Sequence, residues 1–88
     1  MTKLTDARAE ALFTSPLATG SRPDHDIVEQ AIRAAVRARG GVRGCAADVA
    51  AEYGDHPECA VPRMRWARGI VEHLYDIRRP RSAWTLVA

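Results

Sequence analysis

Aromatic residues make up only 6% of this 88-residue chain, and lysine occurs once among its thirteen basic residues. Ile, Phe and Tyr are few, so a sheet built from β-branched and aromatic pairs has little to draw on. Two cysteines are too few for a disulfide framework. No stretch approaches the ~20 apolar residues of a membrane span. The first fifteen residues carry Asp6, Arg8 and Glu10 where a secretory leader needs an apolar run. A cytoplasmic location with both thiols reduced is therefore the expectation. Gly40 to Gly44, GGVRG, lacks the Lys-Ser/Thr ending of a phosphate-binding loop. There is no internal repeat and no low-complexity tract.

What is abundant is Ala and Arg, good helix formers, with Glu and Leu beside them. The length suits one domain, 1–88, that buries about two-thirds of its unfolded surface; dimerisation is a natural way to widen so thin a stability margin. The net charge of +2 is mildly basic but uneven. From Arg63 to Arg81 six arginines face only Glu72 and Asp76, a local net of +4. Arginine suits planar, bidentate and stacked contacts better than lysine does.

The spacing of apolar residues predicts an all-α fold: a small four-helix domain containing a helix-turn-helix, followed by an extended C-terminal tail. Residues 1–23 read as an N-terminal helix and linker. Thr5 is a plausible cap, Asp6 complements the helix dipole, and Leu4, Ala7, Ala11 and Leu12 share a side. Ser15-Pro16 stops the helix, and Phe13 and Leu17 are expected to pin it to the body. This helix either closes the core or docks on a partner as an arm.

Residues 24–77 form the expected helical core. Between Asp24 and Arg39, Ile27, Val28, Ala31, Ile32, Ala35 and Val36 make one apolar stripe, capped by Asp24 or Ser21. Gly40-Gly41 ends this helix, one of the two glycines in the left-handed conformation. From Val42 to Tyr53, the residues Val42, Cys45, Ala46, Val49, Ala50 and Tyr53 keep helical period, with Gly54 as the stop. The last helix, Pro57 to Tyr75, carries the stripe Ala60, Met64, Ala67, Val71 and Leu74. Pro62 either kinks it or marks a later start near Val61. A second stripe, Trp66, Ile70, His73 and Ile77, runs along its flank. It is expected to meet a dimer or protein partner, or to be covered by the N-terminal helix. The tail, 78–88, begins with the basic Arg78-Arg79-Pro80-Arg81 and is expected to return Trp84 to the body.

The stretch from Val49 to Arg68, within a helix-turn-helix spanning 45–68, resembles region 4 of bacterial sigma factors and related regulators. Those proteins run as an apolar-Ala pair, a Gly at the turn, an apolar position six residues on, and then Arg-apolar-x-x-Ala-Arg. Here the matching residues are Val49-Ala50, Gly54, Ala60 and Arg63-Met64-Arg65-Trp66-Ala67-Arg68. The match covers about twenty residues, and Pro62 departs from it by falling inside the recognition helix. The resemblance implies binding of double-stranded DNA, with Arg63, Arg65 and Arg68 in contact. Arg43, Arg78, Arg79 and Arg81 would add backbone contacts. The groove-facing positions are then Glu58, Cys59, Pro62, Arg65 and Trp66, a set short on donors. The alternative is a helical protein-interaction module acting through the Trp66, Ile70 and Ile77 flank without nucleic acid.

Enzyme chemistry is not expected, nor a cofactor. Cys45, His56 and Cys59 offer three metal-ligand types, but only His56-x-x-Cys59 has a short spacing, against the paired short spacings of structural zinc. Cys59 beside His56 lacks an orienting third group for nucleophilic catalysis. Asp24-His25-Asp26 reads as a capping cluster.

Overall fold

The computed structural model describes residues 3–75. The expected tail, with Ile77, Arg78, Arg79, Arg81 and Trp84, lies outside the described residues. Among those described are four helices: α1 (Lys3–Thr14), α2 (His25–Ala38), α3 (Val42–Asp55) and α4 (Pro57–Tyr75). The all-α, four-helix expectation holds. No helix among the described residues is long and apolar enough to cross a membrane.

The organising element is α1. It packs against each of the other three helices, and more extensively than they pack against one another. Its sequence shows why. Ala9, Ala11, Leu12 and Phe13 point in several directions around the axis, and all four are buried. A helix without a single apolar stripe belongs in the middle of a small bundle rather than on its surface. The expected inward set of Leu4, Ala7, Ala11 and Leu12 is corrected accordingly. Leu4, at the helix start, is 57% exposed, and Ala9 and Phe13 take the buried places. Phe13 and Leu17 do pin the segment, as expected.

Around α1 the core is Val28 of α2, Val49 of α3, and Ala60, Met64, Ala67 and Val71 of α4. The α4 stripe is as the sequence predicts. A smaller cluster joins Ala11, Ala35 and Cys45. In α2, Asp24 caps the start by accepting from the Ile27 N–H at 2.9 Å. At its other end Gly40 adopts φ +73°. The Gly41 N–H reaches the Val36 carbonyl at 2.8 Å and the Gly40 N–H reaches that of Arg37. This is the Schellman closure, which needs a left-handed residue where only glycine sits without strain.

The expected break at Gly54 is absent. α3 runs through Gly54 to Asp55, and His56 alone joins it to α4. Gly54 has no positive φ. Pro57 supplies the stop instead: a proline disfavours helical dihedrals at the residue before it, and it starts a new helix readily. His56 accordingly sits at φ −140°, ψ 63°, and its carbonyl accepts from the N–H groups of Cys59 and Ala60. Pro62 lies inside α4, which neither starts late nor breaks there. It faces solvent, where water can satisfy the carbonyl that its missing N–H leaves unpaired.

α3 turns a narrower side inward than expected. Cys45 and Val49 are buried, whereas Val42 is 48% and Tyr53 38% exposed, and Ala50 is exposed. Gly44 fits the tight turn into α3: a Cβ there would lie 1.9 Å from the carbonyl oxygen of Arg39, the residue that ends α2, so only glycine allows this approach.

Candidate functional site

α4 carries most of the residues that the sequence singles out, and the helical rotation divides them into three directions. At about 100 degrees per residue, Arg63, Trp66 and Ile70 lie on the flank that faces the end of α1 and the α1–α2 linker. Arg68 lies on the opposite flank. Arg65, with Glu58, Pro62 and Gly69, faces outward.

Arg63 is a structural staple. Its Nε donates to the Phe13 carbonyl at 2.7 Å and its terminal nitrogens donate to the Ser15 carbonyl and the Thr19 hydroxyl, each at 2.8 Å. The guanidinium also stands 5.0 Å from the Trp66 ring centroid and 5.7 Å from that of Phe13. The last carbonyls of any helix lack partners within it, and α1 has no basic residue in its own last turn. Here Thr14 Oγ1 donates to the Ala11 carbonyl and Ser15 to that of Leu12. Arg63 completes the cap from α4. Burial holds its pKa below the ordinary arginine value. Arg68 pairs with Asp6 of α1 at 3.3 Å. Both residues bind α4 to the α1 segment, Arg63 through three hydrogen bonds and Arg68 through an ion pair at the surface.

Arg65 and Arg43 are exposed. Arg65 shares its outward face with Glu58 and Glu72, so the described part of that face carries more negative than positive charge. The six arginines thus separate into half-buried Arg63 and Arg68, exposed Arg65, and three outside the described residues.

Trp66 and Ile70 are half-buried. They pack against the core around α1, and the α1–α2 linker lies along them: the indole N–H donates to the Ser21 carbonyl at 2.8 Å. The cover is incomplete. A mostly apolar notch of about 220 Å³ remains, lined by Trp66, Ile70, Gly69, Gly20 and Ser21, with Arg22 and Arg65 at its rim. His73 is half-buried further along the helix.

A larger open groove, about 610 Å³, lies between the end of α1, α3 and the start of α4. Phe13, Leu17 and Ala60 form its apolar part, and Glu52, Cys59 and the Arg39–Asp48 ion pair its polar part. Cys59 is exposed there, whereas Cys45 is buried and 4.0 Å from the Thr14 hydroxyl; both are free thiols. No three potential metal ligands cluster among the described residues.

No family model, no curated protein and no solved structure matches this chain. The functional reading therefore rests on the geometry alone.

Sequence reasoning missed three features. One is the bonding of Arg63 to the end of α1; its place beside Trp66 on the wheel, next to the buried stripe, is the available signal. Gly44 left a signal too, as a glycine just after the Gly40-Gly41 turn. The third is a clasp of Tyr75, Glu29 and Arg8. Tyr75 Oη donates to Glu29, Arg8 stacks over the Tyr75 ring at 4.0 Å, and Arg33 pairs with Glu29. These residues come from three helices, and no local pattern joins them.

Proposed function

We propose that this protein is a helical protein-interaction module whose working surface is the Trp66–Ile70 flank of α4. The observation that carries this reading is the notch beside Trp66. It combines an exposed part of a large aromatic ring, a glycine floor that admits a side chain, and two arginines on the rim. Aromatic residues and arginine are the residue types that anchor protein interfaces. The chemistry fits a partner segment that places an aliphatic side chain in the notch and carboxylates against Arg22 and Arg65. DNA binding, the second reading, draws on Arg65, Arg43 and the arginines at 78, 79 and 81.

Gly69 supplies a test that leaves the fold alone. A Cβ there meets nothing within 4 Å, so Gly69→Met fills the notch while improving helix propensity. Fluorescence anisotropy of a labelled peptide alternating leucine and aspartate is expected to show binding to wild type. Gly69→Met abolishes it, and Arg65→Glu weakens it roughly tenfold, as loss of a close charge pair does. A duplex DNA probe bound equally by wild type and Gly69→Met, with no binding of the peptide, overturns the proposal.

A further inference from the structure

The groove between the end of α1, α3 and the start of α4 is separate from the Trp66 notch. At about 610 Å³ it falls within the range that holds a small organic ligand. Its apolar lining comes from Phe13 at the end of α1, Pro16 and Leu17 of the linker, and Ala60 of α4. The later part of α3 adds Asp48, Ala51 and Glu52, and Cys59 lines it at the start of α4.

Four charged side chains line this groove: Arg39, Asp48, Glu52 and Arg63. Three of them are engaged within the protein. Arg39 pairs with Asp48. Arg63 donates to the Phe13 and Ser15 carbonyls and to Thr19, so its charge lies against the negative end of the α1 dipole. Glu52 is the exception: it is exposed, and among the described residues its carboxylate has no ion-pair partner. It stands with Asp55 in the last turn of α3, which has no basic residue. The negative end of the α3 dipole adds to both carboxylates, and a cation is favoured there. The positive start of α4 is already matched by Glu58 in its own first turn.

We propose that this groove is a binding site for an amphiphilic organic cation, an amine whose ammonium pairs with Glu52 and whose apolar body lies on Phe13, Leu17 and Ala60. Charge complementarity sets the sign of the ligand. Both arginines lining the groove already have partners, whereas the Glu52 carboxylate has none. An anion would meet Glu52, Asp48 and the negative ends of α1 and α3. The apolar lining sets the rest of the ligand, since burying it against a hydrocarbon or aromatic body removes that surface from water. A bare metal ion is a poor match: it needs several ligands, and no three candidates cluster among the described residues.

Cys59 makes occupancy readable, because it is exposed in the groove while Cys45 is buried. The probe is dansylcadaverine, a naphthalene carrying a primary amine, with anilinonaphthalene sulfonate as an anion of similar apolar bulk. The rate of Cys59 alkylation by iodoacetamide is measured on the full chain at rising concentrations of each. Dansylcadaverine is expected to slow alkylation saturably. Glu52→Gln raises the concentration for half-protection roughly tenfold, as loss of a close charge pair does. Ala51→Phe, at an exposed position lining the groove, abolishes protection by the amine with unchanged helical circular dichroism. Gly69→Met, in the Trp66 notch, leaves it intact. No protection by dansylcadaverine, equal protection by the sulfonate, or a Glu52→Gln variant protected as wild type is overturns the proposal.

Discussion

The guanidinium of Arg63 closes the end of α1 by donating to the Phe13 carbonyl at 2.7 Å across fifty residues of sequence. One side chain of α4 thereby satisfies two carbonyls and a hydroxyl around the α1 terminus. Arg63→Ala is expected to cost about 2–3 kcal/mol, the range for hydrogen bonds from a charged group. That corresponds to a fall in melting temperature of about 10–20 °C for a domain of this size. Arg63→Lys recovers little, since a single ammonium cannot hold three acceptors in the guanidinium plane. Thermal melts by circular dichroism decide this. Melting of Arg63→Ala at the wild-type temperature would show that the staple contributes nothing.

Glycine substitutions separate close approach from turn-making. Gly44→Ala places a carbon 1.9 Å from the Arg39 carbonyl oxygen. The backbone must move, and a loss of about 2–3 kcal/mol is expected, at the upper end for overpacking. Gly69→Ala, in the open middle of α4, is expected to stabilise by about 0.5–1 kcal/mol. Urea titrations of the two variants should move in opposite directions.

Gly54→Ala tests whether α3 is continuous. A glycine in a left-handed turn cannot be replaced without strain, whereas Gly54 is helical and open to solvent. A small gain in melting temperature is expected. A clear loss would place the turn at Gly54 after all.

The Tyr75 clasp makes stability fall in strong alkali. Burial, reinforced by the hydrogen bond to Glu29, pushes the Tyr75 phenol up to about 12 from its ordinary 10.0. The folded state therefore holds its proton where the unfolded chain has released it. The contribution is fully present below pH 10 and is lost as pH rises toward 12. Glu29 moves the other way. The Tyr75 hydrogen bond lowers its pKa from 4.5, so its contribution is present above that value and is lost on acidification. Tyr75→Phe should flatten the alkaline limb of a stability-against-pH curve; an unchanged limb would show that another group is responsible.

Much of the architecture was legible in the sequence because helical periodicity and turn chemistry are local. The α4 stripe, the Asp24 cap and the Gly40 left-handed turn could each be read from a few neighbouring residues. The central place of α1 was less visible, since its buried residues do not line one face and its position is a tertiary fact. Gly54 misled because glycine suits both a helix end and a helix interior, and here Pro57 decides where the chain breaks. The arginines are less legible for a different reason: sequence shows how many there are, but the partners of Arg63 and Arg68 are Phe13 and Ser15 at the end of α1 and Asp6 within it, about fifty to sixty residues away in the chain.

The most direct measurement is a pair of nitrogen–proton correlation titrations of one labelled sample, first with a mixed-sequence DNA duplex at low salt and then with the leucine–aspartate peptide. The peptide is expected to shift the Trp66 indole and the amides of Gly20, Gly69 and Ile70, while DNA leaves these signals in place. Shifts from DNA centred on Arg65 and the start of α4, with the peptide silent, would contradict an interaction surface at Trp66 and restore α4 as a recognition helix.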